Sequence, residues 1–227
     1  MALNGNKDSV LVFDMDDVLV DVLESYHAST IATVEHFTGV RISSDLIQRY
    51  KNEGGWNDDW QLSQRIILDT AGRDVPFDEV VSVFQQRFLG SNGDGLIMRE
   101  RWLPAPGLLE RLASRHRLAI FTGRPREEME MTLSRFVPEL RWSMTVTSGD
   151  VQNLKPAADG LIAIIEAHAD CAITYFGDNV DDARSARAAG VRFVGVANRA
   201  RAGLRELFES EGAAAVIANI NEIEGVL

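Results

Sequence analysis

Cysteine and long apolar runs are scarce in this chain of 227 residues. The single cysteine, Cys171, can form no internal disulfide bond, which is compatible with a reducing compartment. The longest apolar runs, 10–13 and 212–218, fall far short of the roughly 18 residues that span a bilayer. The polar N-terminus also lacks the apolar stretch of a secretory signal. We therefore expect a cytoplasmic protein with no membrane-spanning segment.

Basic residues are outnumbered, since 23 basic and 34 acidic side chains give a net charge of −11 at pH 7. Without a basic stripe, we expect no nucleic-acid partner and no membrane partner. The four histidines are not spaced as metal ligands, which argues against a zinc site. A content of 45% hydrophobic and 25% charged residues is typical of a globular protein with a sizeable core.

Short apolar runs recur along the chain and predict six strands, at 9–13, 117–121, 144–147, 172–176, 192–196 and 215–217. Consecutive apolar residues suit strands that are covered on both faces, as in a parallel sheet. From residue 106 onward these runs alternate with helical patterns at 106–116, 125–136, 157–168 and 181–189. This order is typical of repeated right-handed βαβ units.

Residues 21–101 break the alternation, because their apolar residues recur at helical spacing and form no convincing strand. Val80, Phe84 and Phe88, for example, follow one another at steps of four. The sequence therefore predicts an α/β protein with a Rossmann-like, doubly wound parallel-sheet core formed by residues 1–20 and 102–227. An all-helical domain, residues 21–101, is inserted after the first strand.

Asp14 and Asp16 follow the first predicted strand, at the edge where open α/β sheets bind their ligands. With Asp17 they place three carboxylates within four residues, and these repel one another unless a cation lies among them. Mg²⁺ prefers such oxygen ligands. The alternative is a polar loop after a strand, and this cluster alone does not decide between the two.

Asp178 and Asp182 form a second acidic cluster, which follows the fourth predicted strand. They are four residues apart, so both face one side of a helix that begins here, near its positive N-terminus. The alternative is that Asp178 or Asn179 only caps this helix. Capping and metal ligation are compatible roles.

Thr122, Gly123 and Arg124 follow the second predicted strand, where a hydroxyl and free backbone N–H groups suit a phosphate oxygen. Arg124 is in addition a candidate substrate contact. Lys155, one of only three lysines, precedes Pro156 at the start of a predicted helix. The alternatives are a Thr-Gly turn and an ordinary surface lysine.

In this order the motifs resemble those of the haloacid dehalogenase superfamily. They are Asp-x-Asp-x-Val after strand one, a strand-terminal Thr, Lys-Pro, and Gly-Asp-x-x-x-Asp before a helix. The resemblance spans nearly the whole chain, and the helical insert is similar to the C1 cap of subfamily I, type A. This chain has Asp17 where many members have Gly, and Val18 where Thr is frequent. Both variants occur in the superfamily.

The resemblance implies a Mg²⁺-dependent phosphatase that hydrolyses a small phosphorylated metabolite through an aspartyl-phosphate. It makes Asp14 the nucleophile and Asp16 the acid/base, and the acid at position 16 favours phosphoryl transfer over dehalogenation. Thr122, Gly123 and Lys155 would bind the phosphate, and Thr122 and Lys155 would also take part in catalysis. The implied metal ligands are Asp14, Asp16, Asp178 and Asp182.

Within the insert, residues 53–60 combine two glycines with two tryptophans. We predict that Trp56 and Asn57 line the substrate side of the cleft. The alternative is that Asn57 caps the next helix while Trp56 and Trp60 pack the insert.

Two other functions remain open. A phosphomutase of the same superfamily would use the same aspartate pair and return the phosphoryl group to the substrate. A binding or regulatory protein could use the same fold without turnover. The expected oligomeric state is a monomer or a homodimer.

Overall fold

The computed structural model describes residues 8–197 and 203–227, which form two compact units. The first unit combines residues 8–19 with 102–197 and 203–227, and the second is Val20–Arg101. Across these described residues, every helix is too short or too polar to cross a lipid bilayer.

The first unit is built on a six-stranded parallel sheet. Its strands are β1 (Ser9–Phe13), β2 (Arg117–Phe121), β3 (Met144–Val146), β4 (Ala172–Gly177), β5 (Arg192–Val196) and β6 (Ala215–Ile217). Their order across the sheet is β3-β2-β1-β4-β5-β6. The predicted α/β fold with a doubly wound parallel sheet is therefore confirmed.

Strand β1 lies at the centre of this sheet. Val10 pairs with Arg117 of β2 on one side and with Ile173 of β4 on the other. The chain leaves β1 toward β2 and β3 and later returns on its other side at β4, so the switch point at which open α/β sheets bind ligands lies between the carboxyl ends of β1 and β4. Residues 10–13 are all buried, as expected of a strand covered on both faces.

The described residues contain nine α-helices. Four belong to the second unit: α1 (Ala28–Thr38), α2 (Ser44–Glu53), α3 (Asp59–Ala71) and α4 (Phe77–Phe88). Five belong to the first: α5 (Leu108–Arg115), α6 (Arg126–Phe136), α7 (Asp159–Ala167), α8 (Val180–Ala189) and α9 (Leu204–Ser210). Helices α7 and α8 bury Leu161, Ile164 and Ala186 in the same core cluster as Phe121 and Tyr175 of the sheet.

The second unit is helical and has its own core, in which Val34, Ile66 and Val80 of α1, α3 and α4 are fully buried. Helices α1 and α3 both end at a glycine with positive φ, Gly39 at 72° and Gly72 at 63°. Residues that have a Cβ atom rarely adopt this backbone conformation.

The ends of this unit differ from the sequence-based expectation. Val20–Asp21 and Arg101–Trp102 pair as two-residue strands, and Arg101 Nη2 lies 2.6 Å from Asp21 Oδ2. Two residues are too few to produce an alternating pattern. The expectation of no strand between residues 21 and 101 is therefore wrong at both ends of the segment.

Candidate active site

Asp14 begins the loop at the carboxyl end of β1, and its backbone continues the sheet ladder. Its N–H donates to the carbonyl oxygen of Phe176 in β4 at 2.9 Å. The residue is only 5% exposed, so its carboxylate lies in a largely water-free environment. Burial of this kind is costly for a charge unless a cation lies close to it.

Lys155 provides such a cation. Its Nζ lies 2.9 Å from Asp14 Oδ1 and 2.8 Å from Asp182 Oδ1. The ammonium also lies over the rings of Phe121 and Tyr175, 4.7 Å and 5.5 Å from their centroids. The predicted site residues Asp14, Lys155 and Asp182 thus meet in space, although 141 residues separate the first two along the chain.

Asp182 uses both of its carboxylate oxygens within the protein. Besides Lys155, Oδ1 accepts a hydrogen bond from the Tyr175 hydroxyl at 2.7 Å, and Oδ2 accepts one from the Asn179 N–H at 3.0 Å. Asn179 in turn caps α8, because its side chain accepts from the N–H of Asp181 at 3.2 Å. The helix cap is therefore Asn179 and not Asp178, and this cap also holds Asp182.

The approach of Asp182 depends on Gly177, the last residue of β4. A Cβ built at Gly177 would lie within 2.5 Å of Asp182 Oδ2, far inside normal contact distance. The strand therefore ends in a residue without a side chain at the point where the carboxylate passes.

Asp16, the second aspartate of the first motif, pairs with Arg124. Its Oδ1 accepts a hydrogen bond from Nε at 2.7 Å, and Nη2 forms an ion pair with the same oxygen at 2.6 Å. Nη1 of Arg124 donates to Thr132 Oγ1 of α6 at 2.9 Å. The Arg124 backbone N–H donates to Thr122 Oγ1 at 3.2 Å, so the predicted phosphate-binding threonine belongs to the same network.

Three carboxylates near Lys155 form a group that is suited to a metal ion. One carboxylate oxygen each from Asp14, Asp178 and Asp182 lie within 4.8 Å of one another. Three carboxylates are the hard oxygen donors that Mg²⁺ requires, and one Lys155 does not balance their charge. The donor set therefore fits the Mg²⁺ that the resemblance implies, with Asp178 as the more exposed of the three.

The titration behaviour of these groups follows from burial and charge. Burial raises the pKa of Asp14 to about 7, an effect that Lys155 opposes and that Asp182 and Asp16 reinforce. Burial also disfavours the charge of Lys155, but Asp14 and Asp182 outweigh it and raise the pKa of the ammonium. Burial and the neighbouring Asp182 raise the pKa of Tyr175, which stays a hydrogen-bond donor.

Trp56 and Asn57, the predicted specificity residues, lie in the second unit. The Trp56 ring meets Tyr50 edge-on at 6.0 Å between centroids and lines an open groove of about 440 Å³ with Leu68 and Phe77. The alternative role of Asn57 as a helix cap is wrong, because the side chain of Asp58 accepts the N–H groups of Trp60 and Gln61. Both asparagine and aspartate suit that position, so composition could not distinguish them.

A family model described as haloacid dehalogenase-like hydrolase matches residues 9–190. This chain belongs to that family. The match includes the aspartates at the end of β1, the Thr122 segment, Lys155 and both aspartates of the second cluster. The family predicted from the order of the motifs is thereby confirmed.

Known proteins extend this comparison. An imidazoleglycerol-phosphate dehydratase from Phytophthora nicotianae is 31% identical over 194 residues, which is 82% of this chain. The match covers only 42% of that relative, so this chain spans less than half of its length.

Solved structures share the fold. One assigned as a haloacid dehalogenase-like hydrolase from Bacteroides fragilis has a TM-score of 0.76 and 22% identity over 96% of this chain and 100% of its own. A structure assigned as a β-phosphoglucomutase from Thermotoga maritima has a TM-score of 0.68 and 21% identity, and the match covers 96% of this chain and 100% of that one. Phosphatase Tt82 from Thermococcus thioreducens has a TM-score of 0.65 and 26% identity, and the match covers 90% of this chain and 100% of that one.

The sequence did not indicate Tyr175 or Thr132 as parts of this site, and it indicated Gly177 only as the first residue of the Gly-Asp-x-x-x-Asp motif. Tyr175 carried one usable signal, since a tyrosine in a strand buried on both faces needs a partner for its hydroxyl. Thr132 carried none, because its role depends on contacts across the fold.

Proposed function

We propose that this protein is a Mg²⁺-dependent phosphatase that hydrolyses a small phosphate monoester through an aspartyl-phosphate at Asp14. The observation that carries the proposal is the buried Asp14 carboxylate, held by Lys155 at 2.9 Å and accompanied by a second acid, Asp16, two residues further along. A nucleophile, a cation beside it and a separate proton carrier are the parts that this chemistry needs.

Asp14 is the nucleophile in this proposal. Lys155 occupies Oδ1, so Oδ2 is the oxygen that attacks phosphorus in line with the departing alkoxide. The new bond joins Oδ2 to phosphorus, and the bond from phosphorus to the substrate oxygen breaks. Lys155 offsets charge on both the carboxylate and the phosphoryl group, while Thr122 donates to a phosphoryl oxygen.

Asp16 carries the proton in both halves of the reaction. It protonates the departing alkoxide, then removes a proton from the water that attacks the aspartyl-phosphate and releases inorganic phosphate. General acid–base catalysis of this type contributes about 10²–10⁴-fold in rate. The chain therefore keeps its nucleophile and its proton carrier on separate side chains.

Asp14, the backbone carbonyl of Asp16 and Asp178 would hold Mg²⁺, with Asp182 in support. The ion supplies charge neutralisation between the carboxylate and the phosphate dianion. Asp182 is placed in support because its two oxygens already bind Lys155, Tyr175 and the Asn179 N–H.

The test is phosphate release by the purified chain from a panel of sugar, nucleotide and amino-alcohol phosphates, with Mg²⁺ and with EDTA. We expect turnover that requires Mg²⁺ and disappears in D14N, a variant of nearly unchanged size. D170N, at an exposed turn of the same unit, is the matched control and should retain wild-type turnover. Phosphate release by D14N equal to that of the wild type would contradict the proposal.

Two further outcomes of the same panel are informative. Transfer of the phosphoryl group to another position of the substrate, without net phosphate release, would identify a phosphomutase. Imidazoleglycerol phosphate belongs in the panel, because the relative from Phytophthora nicotianae carries that substrate in its name. Binding of phosphate esters without any turnover would favour the non-catalytic alternative.

A further inference from the structure

Arg124 is the largest fully buried side chain of the described residues, and its guanidinium lies against the proposed acid/base. Its side chain is 1% exposed, whereas that of Asp16 is 23% exposed. A buried arginine of this kind has little capacity to reach a substrate directly. The placement therefore favours a role through Asp16 over the direct substrate contact expected from the sequence.

The Arg124 backbone and side chain are fixed on several sides. The backbone N–H donates to Thr122 Oγ1, and the backbone carbonyl accepts from the Ser148 N–H at 3.1 Å. The side chain spans from Thr132 on α6 to Asp16 after β1. Charge-assisted hydrogen bonds with a planar guanidinium are strong and directional, so this network sets the orientation of the carboxylate.

Only one oxygen of Asp16 is used by this pair. Nε of Arg124 donates to Oδ1 and Nη2 lies 2.6 Å from the same oxygen, whereas no described residue supplies a hydrogen-bond partner for Oδ2. The acid is thus held by one oxygen and keeps the other available for the proton it must deliver and later collect. A shift of about 1 Å in such a group can lower the rate of reaction about 10²-fold.

We infer that Arg124 is a positioning residue for Asp16, which aims Oδ2 of the acid at the leaving oxygen, with Thr132 holding Arg124 in place. This inference rests on the proposed phosphatase activity. It assigns Arg124 no contact with the phosphoryl group, and it predicts a defect that depends on how much the leaving group needs a proton.

The experiment compares two leaving groups in the same enzyme preparation. An alkyl phosphate needs protonation of its leaving oxygen, whereas p-nitrophenyl phosphate releases a stable phenolate and needs it little. We expect R124Q to lower kcat/KM about 10- to 100-fold for the alkyl ester and less than about threefold for the aryl ester. The ratio of the two is independent of the folded fraction, so partial misfolding of R124Q cannot imitate the result.

Three further variants complete the design. R124K keeps the charge but lacks the planar fork, and its ratio should fall between those of wild type and R124Q. T132V should show the same selectivity on a smaller scale, about two- to fivefold, and it remains informative if R124Q does not fold. R126Q is the matched control, because Arg126 is exposed at the start of α6, two residues after Arg124, and pairs with Asp150 instead.

A double-mutant cycle gives the decisive comparison. In D16N the acid is absent, so adding R124Q should change the alkyl-to-aryl ratio no further. An equal loss for both esters in R124Q, R124K and T132V would overturn the inference and leave a structural role. Failure of the phosphatase proposal would look different, since the wild type would then release phosphate from neither ester.

Discussion

Each unit of the protein contains a lysine paired with aspartate, Lys51 partly buried and Lys155 buried, and the two pairs differ in their surroundings. In the second unit, Lys51 of α2 lies 3.1 Å from Asp59 Oδ1 at the start of α3. In the first unit, Lys155 lies between Asp14 and Asp182, with Asp16 and Asp178 close by. Around Lys155 the carboxylates therefore outnumber the lysine.

This difference separates an ion pair between two helices from one that lies in the candidate active site. Lys51 and Asp59 lie on the two sides of the Gly54-Gly55 turn, and their attraction holds two helix ends together. The cluster around Lys155 keeps unbalanced negative charge in a buried place, which favours binding of a further cation. Excess charge at the end of a central strand therefore marks a candidate functional site.

Removal of Lys155 should have the largest effect. K155M leaves Asp14 and Asp182 buried without their cation, so we expect a loss of turnover of about 10³-fold or more and a lower melting temperature. Phosphate release and thermal unfolding measure the two effects. A K155M protein with turnover within tenfold of the wild type would show that this lysine is not part of the reaction.

Removal of Lys51 should affect stability instead. K51M breaks a pair in which Lys51 is 13% exposed, and we expect a loss of about 1–3 kcal/mol in the free energy of unfolding. Turnover per folded molecule should remain within about threefold of the wild type. Urea unfolding measures the stability of K51M, and phosphate release measures its turnover. A loss of turnover at unchanged stability would contradict the structural role of the Lys51–Asp59 pair.

Binding of Mg²⁺ should depend on pH through Asp14. The pKa of Asp14 is about 7 in the folded protein and 3.8 in the unfolded chain. The contribution of Asp14 to the stability of the metal-free protein is therefore fully present below about pH 4 and is lost as the pH rises through 7. In the proposed site, Mg²⁺ binds the ionised carboxylate of Asp14 and must therefore displace the proton of that carboxyl group. We expect about tenfold weaker Mg²⁺ binding at pH 6 than at pH 8 by calorimetry, and little such pH dependence in D14N.

Loss of the Tyr175 hydroxyl should have the smallest effect. Y175F removes one hydrogen bond to Asp182 while Lys155 and the Asn179 N–H still hold that carboxylate. We expect turnover to fall about three- to fivefold, with a loss of about 1 kcal/mol in stability. Y26F, at a tyrosine packed on Phe88 in the second unit, serves as the control and should leave turnover unchanged.

Much of the fold was predictable, because a parallel sheet leaves local signals. The apolar runs of β1 and β2 are continuous and end at polar residues, which places Asp14 and Thr122 at one edge without any knowledge of contacts. The two-residue strands at Val20 and Arg101 gave no such signal, since their pairing depends on residues 80 positions apart.

The candidate site was predictable in its members but not in its connections. Parallel topology brings Asp14, Lys155 and Asp182 to one edge, whereas the choice of partner for each oxygen depends on side-chain directions. The attachment of Arg124 to Asp16 is an example, because an arginine after a strand-terminal threonine could equally point outward. The hydroxyl of Tyr175 finds Asp182 only because α8 returns over the end of β4.

The hydrogen that Gly177 carries in place of a side chain limits which sequences can use this site. An alanine there would press against Asp182, which contacts Lys155, and Lys155 in turn contacts Asp14. A methyl group at position 177 would thus displace Asp14, the proposed nucleophile, by way of Asp182 and Lys155. In selection for turnover among variants at position 177, survivors other than glycine should carry a compensating change at position 182.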